Sequence, residues 1–106
     1  MKFRGGMGEL VRQASRLQRK VDKRKEELAA DTVEAGAGND TVKAVVNGAR
    51  KLVRVAIDPE LFKTEDPAML QDLVVVAVNA ALEKSEQMVD AEIEKVTGGL
   101  KLPGAF

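Results

Sequence analysis

From Leu70 to Leu82 the chain is apolar on nearly every side of the helix it can form, through Leu73, Val74, Val75, Val76, Ala77, Val78, Ala80 and Ala81. A helix lying on a surface needs only one apolar stripe, so this stretch has to be covered on more than one side. The limits of the helix are written locally. Asp66-Pro67 offers a capping carboxylate followed by proline at the first helical position, and Gly98-Gly99 stops the run after Thr97. Past Leu82 the same helix turns amphipathic and acidic, with Met88, Val89, Ile93 and Val96 set among Glu83, Glu86, Asp90, Glu92 and Glu94. That half is expected to project or to pair with another helix.

A second helix is predicted from Met7 to Ala30. Met7, Leu10, Ala14, Leu17, Val21 and Leu28 follow one another at spacings of 3, 4, 3, 4 and 7, an a/d heptad seam that Arg24 interrupts at one d position. Gly5, Gly6 and Gly8 are expected to end regular structure before it, which leaves residues 1–7 as a flexible basic leader carrying Lys2 and Arg4. At the other end, residues 98–106 form a tail that is apolar but broken by Pro103 and Gly104, and it reads as a docked extension.

Between the helices the pattern is that of strands. Asp31 to Ala35 alternates weakly, Gly36 to Asp40 is a turn-rich loop, and Thr41 to Val46 is rich in β-branched residues. Asn47-Gly48 follows, the dipeptide suited to a type I′ hairpin turn because both central residues of that turn take positive φ. The next strand, Ala49 to Ile57, puts Val53, Val55 and Ile57 on one face and Arg50, Leu52 and Arg54 on the other. Asp58-Pro59 closes it. The predicted fold is therefore α+β, an α-β-β-β-α core with a three-stranded antiparallel sheet and long terminal helices, in one domain over residues 1–106. So little chain cannot cover the stretch near Val75, so a dimer is expected, with Leu10, Leu17, Val21, Leu73, Val76, Ala77 and Ala80 at its interface.

The residues that are missing narrow the function. There is no His, Cys, Trp or Tyr, so the commonest general base, the usual transition-metal ligands and most base-stacking aromatics are absent together. Neither Ser15 nor Ser85 starts a Ser-x-x-Lys pair. Gly36 and Gly38 begin like a dinucleotide fingerprint, but Thr41 stands where the third glycine belongs and a strand follows. The expectation is a protein that is not an enzyme and has no cofactor, metal or small-molecule substrate. No stretch nears the roughly 18 to 20 apolar residues that span a bilayer, and no signal segment opens the chain. A cytoplasmic location, with no membrane partner, is expected.

Charge points to the partner. The net charge is zero, yet residues 1–30 carry nine Lys and Arg against four acids, while residues 55–106 carry four against ten. Arg12, Arg16, Arg19 and Lys23 succeed one another at 4, 3 and 4 residues, so at about 100° per residue they share a narrow arc opposite the apolar seam. Lys20 flanks the arc and Arg24 extends it. From Arg12 to Lys23 the rise is about 16 Å, long enough to follow several phosphates. Lys2, Arg4, Arg12, Arg16, Arg19, Lys20, Lys23 and Arg24 are thus the candidate contacts to double-stranded DNA. No cluster suited to reading bases accompanies them, so contacts to phosphate and weak sequence preference are expected. The alternative is a dimeric interaction module that docks a recombination or replication factor through the same helix.

As a whole the sequence resembles the YbaB/EbfC family of bacterial nucleoid-associated proteins. The resemblance rests on Gly5-Gly6-Met7-Gly8 leading into a basic helix with Gln13, Ala14 and Gln18. It continues through Val42-Lys43, Val46-Asn47-Gly48-Ala49, Val55-Ala56-Ile57-Asp58-Pro59 and Met69-Leu70-Gln71-Asp72-Leu73-Val74, then Ala77, Asn79 and Ala80, and it ends on Gly99-Leu100-Lys101-Leu102-Pro103-Gly104. It implies the α-β-β-β-α core, a tight homodimer with outward helices, DNA binding with weak or broad preference, a location on the nucleoid, a part in organising the bacterial chromosome, and no catalysis. The acidity of the final helix departs from that picture and argues against its distal half touching DNA.

Overall fold

The computed structural model describes residues 2–99. Along the chain come α1 (Lys2–Ala29), β1 (Thr32–Ala37), β2 (Val42–Asn47), β3 (Leu52–Ile57), a one-turn α2 (Leu61–Thr64) and α3 (Pro67–Thr97). The expected tail beyond Gly99 lies outside the described residues. The three strands form one antiparallel sheet in the order β1-β2-β3. Among the described residues no helix is long and apolar enough to cross a membrane.

Helix α1 starts at Lys2 rather than Met7, so the stretch expected as a leader continues the helix through Gly5, Gly6 and Gly8. Each interior glycine costs about 1 kcal/mol relative to alanine, but it removes no hydrogen bond. Nothing near Met7 offers a Ser, Thr, Asp or Asn side chain to cap a helix beginning there. Helix α3 has the ends read from sequence. Asp66 caps it, its carboxylate accepting the Met69 amide at 2.8 Å, Pro67 opens the first turn, and Gly98 ends it in the left-handed conformation at φ 64°.

Two apolar clusters hold these elements. In the body of the molecule α3 lies across β1 and β2 and barely touches β3. Ala77 and Ala81 are buried there against Ala37, Val42, Ala44 and Val46, with Leu61 of α2 closing one side. The small alanines let helix and sheet approach, and Ser85, fully buried, satisfies its hydroxyl by donating to the Asn47 carbonyl at 2.8 Å. The second cluster joins α1 to the distal half of α3 through Val21, Leu28 and Ile93, with Met88, Val89 and Val96 around them. Arg24 meets Glu92, and the Leu28 end of α1 meets the hairpin that holds Ser85, so the two helices run antiparallel. The result is a rod with extents of 76 × 20 × 17 Å.

The turn between β2 and β3 differs from the two-residue one expected. Asn47 and Lys51 close a three-residue loop, with the Asn47 amide donating to the Lys51 carbonyl at 3.0 Å and the Arg50 amide to the Asn47 carbonyl at 2.9 Å. Arg50, not the Asn-Gly pair, takes positive φ, at 62°. This is a type I turn followed by a left-handed residue, the next commonest hairpin connection. Asn47 serves it by side chain, its Oδ1 accepting the Ala49 and Lys51 amides. Gly48 is needed for another reason: a Cβ there would collide with the Leu28 carbonyl of α1.

A second difference follows just downstream. Val45 pairs with Arg54 but Val46 pairs with Leu52, so Val53 is an extra residue bulged out of β3. One inserted residue inverts the alternation before it, so Leu52 rather than Val53 falls opposite the core residue Val46. Both stay about half exposed, at 50% and 54%.

Candidate nucleic-acid interface

The seam of α1 that meets α3 fixes where its other side faces. Val21 and Leu28 are buried against Ile93, which turns Arg12, Arg16, Arg19 and Lys23 into solvent on the far side, with Lys20 exposed beside them. Among the described residues Arg16, Arg19, Lys20 and Lys23 enter no ion pair. Arg12 holds Glu9 one turn away at 2.9 Å, a contact exposed on both partners and so weak that a phosphate can displace the carboxylate. α1 also includes Lys2 and Arg4, whose side chains lie outside what the structure describes.

Arg24 is placed differently from the rest of the stripe. It sits at the edge of the seam and reaches Glu27 and Glu92, each at 3.5 Å, with its side chain only 30% exposed. It ties α1 to α3. Glu92 is held below its ordinary carboxyl pKa first by a hydrogen bond from Lys95, with partial desolvation opposing, and further by the charges of Lys95 and Arg24. The heptad interruption at Arg24 is thus a polar clasp inside an apolar seam, and the sequence could not name its partner.

Two residues expected at a dimer interface are already used within the chain. Val21 and Ala77 are both fully buried, one in the α1–α3 cluster and one against the sheet, and neither has surface left for a second copy. Leu17, Leu73 and Ala80 are half-buried, whereas Leu10 and Val76 are exposed. Other large apolar side chains stand exposed as well: Met7 and Val11 on α1, Leu52 and Val53 on β3, Phe62 on α2, and Met69 and Val75 on α3.

Arg50, Lys51 and Arg54 were read from sequence only as strand residues. The three-residue turn brings Arg50 and Lys51 to the hairpin end, and all three are exposed. The signal that would have found them is the absence of any acid between Thr41 and Ile57.

Electrostatically the molecule is two-sided along its length. The outer side of α1 is basic, while α3 exposes Asp72, Glu83, Glu86, Asp90 and Glu94. A polyanion is drawn to the first and repelled by the second.

The model of the YbaB/EbfC DNA-binding family matches residues 3–100. Nucleoid-associated protein Teth39_2199 of Thermoanaerobacter pseudethanolicus is 44% identical over 106 residues, covering 98% of this chain and 96% of that protein. A nucleoid-associated protein of Acetivibrio thermocellus is 46% identical over 105 residues, covering 98% and 93%. The crystal structure of the uncharacterized protein HP0035 from Helicobacter pylori superimposes with a TM-score of 0.62 over 73% of this chain and 89% of that one, and at 19% identity it shares the fold.

Proposed function

The chain belongs to the YbaB/EbfC DNA-binding family, and from that premise we propose that it is a nucleoid-associated protein that binds duplex DNA as a homodimer, chiefly through phosphate contacts made by the outer side of α1. The observation that carries this reading is the set of exposed cations at Arg16, Arg19, Lys20 and Lys23, unpaired among the described residues and turned away from α3. A helix whose outer side served only solubility would mix its signs, as α1 itself does at Glu26 and Glu27. Arginines on a straight helix meet the phosphates of one groove edge, and among the described residues no aromatic or amide cluster stands beside them to read bases. Lys2 and Arg4 extend the same helix and are proposed as further contacts.

Dimerisation is supported by what the fold leaves bare. α3 packs mainly on β1 and β2, so Leu52 and Val53 of β3 and Val75 and Val76 of α3 remain in solvent, and exposed apolar surface that is contiguous marks interaction sites. Leu10, Leu73, Val76 and Ala80 keep surface for a partner; Val21 and Ala77 do not. Two experiments test the proposal. Sedimentation at micromolar concentration should give a dimer, and a folded monomer would refute that part. Titration of binding against salt on unrelated duplexes should give a steep log–log slope and similar affinities. A single preferred site surviving excess competitor would refute the phosphate reading.

A further inference from the structure

We propose that the β2–β3 hairpin is a second phosphate-contacting surface for the same duplex, made by Arg50, Lys51 and Arg54; this rests on the DNA-binding reading of α1. From Thr41 to Ile57 the chain carries Lys43, Arg50, Lys51 and Arg54 and no acid. Lys43 is paired with Glu34 at 3.8 Å, whereas Arg50, Lys51 and Arg54 are exposed and enter no ion pair among the described residues. The turn itself singles out Arg50. Its φ of 62° is a conformation that glycine and asparagine adopt with least strain, and here an exposed arginine takes it.

Position links this patch to α1. Gly48 packs on the Leu28 carbonyl and donates its amide to Asp31 at 3.0 Å, so the hairpin abuts the C-terminal end of α1. The basic arc of Arg12, Arg16, Arg19 and Lys23 ends about 7.5 Å of axial rise before Leu28, and the span from Arg12 to Leu28 is about 24 Å. The hairpin thus adjoins the end of α1, about two phosphate steps of about 3.4 Å beyond Lys23 along the helix axis. A plainer role for these charges is to guard the open edge of β3 against pairing with another chain. Edge protection works through charges on the edge strand itself, however, whereas Arg50 and Lys51 lie in the turn ahead of β3.

The test uses the full chain with Arg50→Asn, Lys51→Gln and Arg54→Gln together, asparagine being chosen because it tolerates the left-handed conformation. The slope of log K against log salt on duplex DNA should fall by about 2.7, at about 0.9 per lost contact, with the dimer and its thermal transition kept. Lys51→Gln alone and Arg54→Gln alone, each a single exposed change, should lower it by about 0.9. Arg50→Lys with Arg54→Lys should keep the original slope. A slope unchanged in the triple variant and in both single ones, with or without aggregation, overturns the proposal and leaves edge protection as the role of the charges. An original chain with no salt-dependent DNA binding would instead overturn the reading of α1, and the hairpin with it.

Discussion

The two long helices, 28 and 31 residues, lie antiparallel and differ in almost everything except length. α3 is held at both ends by local chemistry, at Asp66, Pro67 and Gly98, and its proximal half is committed to the sheet. α1 carries three glycines in its first two turns and owes its place to the seam around Val21 and Leu28. Their solvent sides carry opposite charge. The helix with the firmer anchorage presents acids, and the one resting on a narrow seam presents the cations that can hold a polyanion. A net charge of zero is the sum of these two surfaces, each strongly charged.

The largest expected effect breaks the comparison at the basic surface. Arg12→Glu, Arg16→Glu and Arg19→Glu together should abolish DNA binding in gel-shift assays, since each reversal removes a phosphate contact and adds repulsion. Exposed substitutions usually change stability by less than about 0.5 kcal/mol, so the fold should survive. Lys63→Glu, an exposed cation on α2 away from this surface, is a single-reversal control and should leave binding close to that of the original chain. Loss of binding in the control as well would mean that net charge alone governs affinity.

Next in size is the seam. Leu28 is buried between α1, α3 and the hairpin, and Leu28→Ala should cost about 2 to 5 kcal/mol in denaturant unfolding. A cost under about 1 kcal/mol would mean that α1 does not depend on this seam. The cap of α3 comes third. Asp66→Ala should cost about 1 kcal/mol through loss of the bond to the Met69 amide, measured in the same way.

The smallest expected effect concerns the clasp between the helices. The carboxyl of Glu92 titrates below the ordinary 4.5, so the unfolded chain takes up its proton first as pH falls. Stability from this group is present above that value and is lost as pH drops through the lower, folded one. Glu92→Gln should therefore flatten the decline of the melting temperature below about pH 4.5, leaving the values at pH 7 slightly lower than those of the original chain. An unchanged acid limb would show that Glu92 is not coupled to folding.

Much of this architecture was legible locally, and the parts that were not share a physical cause. Asp66-Pro67 and Gly98 act on their own turns, so α3 could be read to the residue. The heptad seam and the basic arc of α1 were legible because helical periodicity alone places them on opposite sides. Where the outcome depended on a distant partner, local reading failed. Arg24 looked like one more cation of the arc until Glu92 of α3 was beside it, and Gly48 looked like half of a type I′ turn until the Leu28 carbonyl accounted for it. The bulge at Val53 likewise cannot be seen in β3 alone, since it exists only relative to the register of β2. Val21 and Ala77 were assigned to a dimer interface because apolar periodicity does not say whether the partner is the same chain or a second copy.

The measurement that bears most directly on α1 as the DNA surface is a salt titration of Arg12→Gln, Arg16→Gln and Arg19→Gln together against the original chain on one duplex. Neutral replacements remove contacts without adding repulsion, so the slope counts them. The expected result is a log–log slope smaller by about 2.7, with the dimer and its melting temperature retained. An unchanged slope in a folded dimer would contradict it and make this side of α1 a solvated helix surface.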